Sequence, residues 1–196
     1  YFDNGIWECD FVSPISKSSC NENSDILIMM QDWRSSESFK KDICIDTMSL
    51  GYDPTIKTNI NLMFLLEKYF NKNLSDVYTT NLFPLIKEGS MNSKLSRRAL
   101  LKSAKIFAIP QVKIIEPKVV ICLGLATYNA MYQAISGKTK KTIDDAINSP
   151  FMIGGSMVFC QAHTGMLGKN NRNKGGVDRV NGDWLGMSEF YNSLKN

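Results

Sequence analysis

The sequence predicts an α/β domain with three layers: a mostly parallel four-stranded sheet with helices on both faces. Four short apolar runs, carrying β-branched or aromatic residues, each end in a polar or glycine-containing turn. Helix-like stretches lie between them. Continuous apolar runs of that length suit strands buried on both faces, and strands that alternate with helices build parallel sheets. A chain of 196 residues is long enough to bury one good core and short enough to form one domain, 1–196.

The elements follow in order. Residues 1–24 are read as an N-terminal extension. The expected strands are 25–30 (DILIMM), 76–80 (DVYTT), 118–123 (KVVICL) and 156–162 (SMVFCQA). A helix is expected over 58–70, with Ile60, Met63, Phe64 and Tyr69 near helical spacing. A second is expected over 96–115, opened by the N-cap candidate Ser96 and kinked or broken by Pro110. A third, 126–135, follows the turn at Gly124. No internal repeat or low-complexity segment interrupts this pattern.

Composition narrows the function classes. Hydrophobic residues make up 43% and charged residues 21%, as in an ordinary soluble globular protein. No apolar run approaches the roughly 20 residues of a membrane span. Residues 1–10 lack the basic and then apolar pattern of a signal peptide. The net charge of +4 permits a basic stripe for nucleic acid without requiring one. The five cysteines, Cys9, Cys20, Cys44, Cys122 and Cys160, form no CxxC pair, and His163 is the single histidine. Structural zinc or an iron–sulfur cluster would need ligand groups that this pattern lacks. The expectation is a reducing, cytoplasmic monomer with no metal and no cofactor.

Ligands of open α/β sheets bind beyond the carboxyl ends of the strands. Polar residues gather there: Gln31 and Asp32 after the first strand, Asn81 after the second, His163 after the last. Three remote segments should therefore meet in one cleft. Taken singly, each residue has a plainer reading. Asp32 also fits a helix N-cap, Asn81 a turn cap before Pro84, and His163 a structural histidine. Taken together they suit cleavage of an N-glycosidic bond. That reaction makes the sugar cationic and the base anionic, so it needs a carboxylate near the sugar and a donor at the base oxygen. An asparagine amide, both donor and acceptor, reads a base edge.

Segment 27–35 (LIMMQDWRS) resembles the first motif of the uracil-DNA glycosylase superfamily, GQDPYH, through Gln31 and Asp32. Segment 77–84 (VYTTNLFP) resembles the strand end that supplies its base-reading Asn. Segment 119–131 (VVICLGLATYNAM) resembles the strand–Gly–helix element that follows, and 162–168 (AHTGMLG) the HPS-type motif. The resemblance runs from about residue 25 to residue 167. It implies a monofunctional DNA glycosylase that flips a pyrimidine out of single- or double-stranded DNA and leaves an abasic site. It makes Asp32 the water-activating carboxylate and His163 the stabiliser of the base anion. Gln31 lines the pocket, Asn81 reads the base, and Leu167 is the wedge that replaces the flipped base in the stack. Leu167 also fits a core position.

Departures from the family pattern shape the substrate expectation. Where the motif has the Tyr that crowds the pyrimidine C5 edge, this chain has Arg34, and Trp33 replaces the Pro. The C5 gate is therefore expected to be open or rebuilt. Such a pocket accepts uracil or a C5-modified pyrimidine, for example hydroxymethylated or glucosylated cytosine in phage DNA, in a repair or antiviral role. Packing of Trp33 and Arg34 against a neighbouring segment is the plainer alternative. Thr164-Gly165 replaces Pro-Ser. Tyr52 is the candidate for stacking on the base.

Residues 163–182 are expected to form a flexible basic loop on DNA, with Lys169, Arg172 and Lys174 as phosphate contacts. Lys87, Lys94, Arg97 and Arg98 make a second basic stretch. No lysine of the cleft motifs stands out as a Schiff-base nucleophile, so no lyase step is expected. A catalytically silent DNA- or nucleotide-binding protein on the same fold is the competing reading. A nucleotide hydrolase would need a phosphate-cradling GxxxxGK[ST] loop, which does not occur.

Overall fold

The computed structural model describes residues 18–39 and 45–194, so most of the expected N-terminal extension, together with Cys9 and Cys44, lies outside the described residues. The strands are β1 (Ile26–Asp32), β2 (Tyr78–Phe83), β3 (Val119–Leu123), β4 (Phe151–Ile153) and β5 (Ser156–Gln161). Between β1 and β2 lie α1 (Ser36–Phe39), α2 (Ile45–Leu50) and α3 (Lys57–Phe70). Between β2 and β3 lie α4 (Arg97–Ser103) and α5 (Ile109–Ile115); α6 (Leu125–Ser136) and α7 (Ile143–Ile147) precede β4. After β5 come α8 (Met166–Arg172) and α9 (Arg179–Ser193).

The sheet has five strands in the order β2-β1-β3-β5-β4. The β1–β2, β1–β3 and β3–β5 pairs are parallel, while the short β4 runs antiparallel to β5. The expectation of four strands missed β4, whose three residues form a tight hairpin with β5 through Gly154 and Gly155. The chain leaves β1 toward β2 on one side and returns to β3 on the other. Neighbouring strand ends therefore diverge at β1 and β3, which opens a crevice at their carboxyl ends.

Alternate residues of each strand feed opposite layers, as strand geometry dictates. Leu27, Met29, Val120, Cys122, Val158 and Cys160 pack against α4, α5 and α6. Ile26, Ile28, Met30, Val119 and Ile121 pack against α3 and α9, where Trp184 and Tyr191 are fully buried. Cys122 and Cys160 are buried free thiols in cross-strand register, and burial pushes the Cys122 thiol up. They serve as small apolar side chains.

Two helices differ from expectation in instructive ways. The buried face of α3 is Leu62, Leu65, Leu66 and Phe70, whereas Ile60 and Phe64 are exposed. Pro110 does not break its helix. A π-helical turn, Ala104–Ala108, joins α4 to α5, and Pro110 falls in the first turn of α5. Widening the ladder ahead of Pro110 accommodates its missing N–H and the bulk of its ring.

Candidate active site

A cavity of about 790 Å³ opens at the carboxyl end of the sheet, lined by residues in or just after β1, β2, β3 and β5. Gln31, Asp32, Trp33, Arg34, Tyr52, Asn81 and His163 all line it. The four DNA-contact candidates Leu167, Lys169, Arg172 and Lys174 are not part of its wall.

Asp32 is the last residue of β1 and Asn81 lies within β2, two residues before the partner of Asp32: Met30 pairs with Asn81 and Asp32 with Phe83. The second strand thus runs further than expected and carries Asn81 inside the sheet, where it is 2% exposed. Its backbone is held in the ladder against β1, which sets the residue on the cavity wall. Gln31 Nε2 donates to Asp32 Oδ2 at 2.8 Å. The other carboxylate oxygen, Oδ1, meets Lys87 Nζ at 2.8 Å.

Lys87 was legible in the sequence only as one member of a basic stretch. It is in fact buried in the cleft wall, 4% exposed. Its ammonium also donates to Met91 O at 2.8 Å. The backbone around it is pinned to the end of β1, since Ser36 N–H donates to Lys87 O and Lys87 N–H donates to Arg34 O. Lys87 lies outside the cleft motifs in sequence, yet the fold brings it into the cavity wall. The signal that could have found it is the run of apolar residues and Pro just before it, 82–86, which draws the chain inward.

His163 follows β5. Gly165 N–H donates to its Nδ1 at 3.0 Å. A neutral imidazole that accepts at Nδ1 carries its proton on Nε2, so the ring offers an N–H donor on its other side. Desolvation by the surrounding protein pushes the His163 pKa below its ordinary 6.5, and the Asp32 carboxylate pulls it partly back. The loop is fastened by Thr164: its hydroxyl donates to Thr58 O at 2.9 Å, and Asn61 Nδ2 donates to Thr164 O at 2.7 Å. The freedom expected of the Thr164-Gly165 pair is thus removed by α3. Gly168 is required by space, and Gly165 sits in a tight contact. A Cβ at Gly168 would stand 2.2 Å from His163 O, and one at Gly165 would stand 3.0 Å from His163 Nδ1.

The opposite wall is polar. The Arg34 guanidinium lies over the Trp33 ring, 5.9 Å from its centroid. Arg34 Nη1 is buried and has no hydrogen-bond partner. Asp53 also lines the cavity; hydrogen bonds from Thr55 hold its carboxyl below the ordinary range, with Arg34 adding to the effect. Tyr52 is half-buried, with its hydroxyl 3.9 Å from Met63 Sδ.

The expected flexible loop 163–182 is mostly helical. It comprises α8, a short 3-10 turn at Lys174–Gly176 and the start of α9. Arg172 is drawn inward and 8% exposed, and its guanidinium meets both Asp183 oxygens at 2.6 and 2.9 Å and also Asp144. A guanidinium used in this way fastens α8 to α9 and is not available as a phosphate contact, which corrects the expectation for Arg172. Leu167 is 76% exposed beside Met166 in the first turn of α8 and so is not a core residue.

Among the described residues, no group of His, Cys, Asp and Glu has the arrangement to hold a metal ion. Likewise, no described helix is long and apolar enough to cross a membrane. No family model matches the chain, and no curated protein matches it.

Proposed function

We propose that the chain is a DNA glycosylase of the uracil-DNA glycosylase type, hydrolysing the N-glycosidic bond of an extruded pyrimidine. The observation that carries this reading is that Asp32, Asn81 and His163, from three remote segments, line a single cavity. The Asn81 amide reads the base edge. Asp32 faces the sugar and takes a proton from the attacking water as the C1′–N1 bond breaks. The His163 Nε2–H donates to the base oxygen that gains charge. A neutral imidazole is suited to that task, and desolvation favours the neutral form. Extrusion costs a few kcal/mol, which an exposed apolar side chain at Leu167 offsets by filling the gap in the stack.

The size of the cavity supports a substituted substrate. About 790 Å³ lies in the upper range for drug-sized ligands, and a bare pyrimidine fills only a small part of it. The walls beyond the base carry Arg34 and Asp53, polar groups that suit a hydroxylated substituent at C5. The ion pair between Lys87 and Asp32 is the observation that favours a silent binder, because it offsets the charge of the carboxylate.

A panel of duplexes and single strands bearing uracil, thymine, hydroxymethylcytosine or glucosylated cytosine tests the reading, with the released base identified by mass spectrometry. Release of at least one free base is expected. Turnover of plain uracil alone, with every C5-substituted base left intact, contradicts the open C5 edge. No release from any substrate contradicts the glycosylase reading.

A further inference from the structure

The geometry points to Lys87 as an amine that captures the abasic product through a Schiff base, giving the same cleft an abasic-site lyase step. The inference rests on the reading that Asp32 faces C1′ of a deoxyribose. Lys87 Nζ is 2.8 Å from Asp32 Oδ1, so an atom placed against that carboxylate is within reach of the amine. The side chain is 5% exposed and held at a second point by Met91 O. Its position is therefore set before any ligand arrives. A lysine attacks a carbonyl once its ammonium has given up a proton, and the Asp32 oxygen 2.8 Å away is placed to take that proton.

Loss of the base leaves a hemiacetal at C1′ that opens to an aldehyde. Asp32 first releases to solvent the proton it took from the attacking water, and the Lys87 ammonium then passes one proton to the restored carboxylate. In a site emptied of water this converts a buried ion pair into a neutral one, which removes the desolvation penalty of both charges. The freed nitrogen pair attacks C1′, and the N–C1′ bond forms as the carbonyl electrons move to oxygen. That oxygen leaves as water, carrying the proton that Asp32 held and one from the amine. An iminium joins Lys87 to C1′. It acidifies the C2′ hydrogen; the Asp32 carboxylate, unprotonated again, takes that proton, the electrons form the C2′–C3′ double bond, and the 3′ phosphate leaves C3′ as its anion, which nicks the strand. No oxidant or reductant takes part.

The test uses the full chain and a duplex with a preformed abasic site, so base excision is not needed. Sodium borohydride is added to reduce the imine to a stable amine. The expected result is a covalent protein–DNA band, with the modified peptide mapped by mass spectrometry to Lys87. Lys87→Arg keeps the ion pair but lacks a nucleophilic amine, and it loses the band. No band from the parent protein overturns the proposal, as does a band mapped to Lys94 or another amine, or one that survives in a folded Lys87→Arg variant. If that variant fails to fold, the peptide map of the parent decides. Failure here with base release intact leaves the glycosylase reading standing. Capture of abasic DNA by a protein that releases no base removes that reading instead.

Discussion

Lys87 Nζ and Asp32 Oδ1 lie 2.8 Å apart with their side chains 5% and 9% exposed, which makes the candidate catalytic carboxylate one half of a buried ion pair. Breaking such a pair from one side leaves the other charge buried and unpaired. Lys87→Met should therefore destabilise the fold by about 3–5 kcal/mol. Adding Asp32→Asn to that variant should restore part of the loss. Urea denaturation of the two singles and the double measures the coupling. A loss below about 0.5 kcal/mol for Lys87→Met, the range of ordinary surface substitutions, would mean that the pair is solvated.

The single histidine makes a second prediction simple to read. The NMR titration midpoint of His163 should fall below 6.5, because desolvation disfavours the charged ring. Asp32→Asn should move it lower still, since the Asp32 carboxylate opposes that shift. The sign for stability follows. The folded state holds the His163 proton less tightly than the unfolded chain, so stability is full above pH 6.5 and falls as pH drops through the folded midpoint. A midpoint above 6.5, or one indifferent to Asp32→Asn, would contradict this account of the site.

Gly168 is a positioning residue for His163. An alanine there puts its Cβ 2.2 Å from His163 O, a clash with backbone that no rotamer relieves. The loop must move, at a cost of about 1–3 kcal/mol. Displacing the imidazole by about 1 Å should lower base release by about a hundredfold. Parent-like activity in Gly168→Ala would mean that the geometry of His163 is not critical.

The basic arm divides by role. Lys169→Ala should weaken DNA binding and reduce the slope of log affinity against log salt by about one. Arg172→Ala should leave the slope unchanged but destabilise the fold by about 3–5 kcal/mol, because Asp183 loses its buried partner. Fluorescence anisotropy at several salt concentrations, together with thermal unfolding, separates the two. A slope change in Arg172→Ala equal to that in Lys169→Ala would contradict the inward placement.

Much of the site was readable because strand ends converge by topology. Gln31, Asp32 and His163 were placed by the strands before them, and Asn81 by the strand that holds it. What escaped was set by tertiary contacts. Lys87 and Arg172 look like surface cations, but Asp32 and Met91 O turn the first inward, and Asp183 and Asp144 the second. β4 was hidden by its three-residue length. The helical form of 166–172 was masked by its Gly and Asn content, residues of low helix propensity that packing overrides.

Base release from one duplex, whichever of the modified or plain pyrimidines the parent protein cleaves, tests the whole account when Asp32→Asn and His163→Ala are run beside it. Free base is expected from the parent, with a loss of about a hundredfold or more in each variant. Undiminished release from both variants would mean that the carboxylate and the imidazole in this cleft are not the groups that cut the bond.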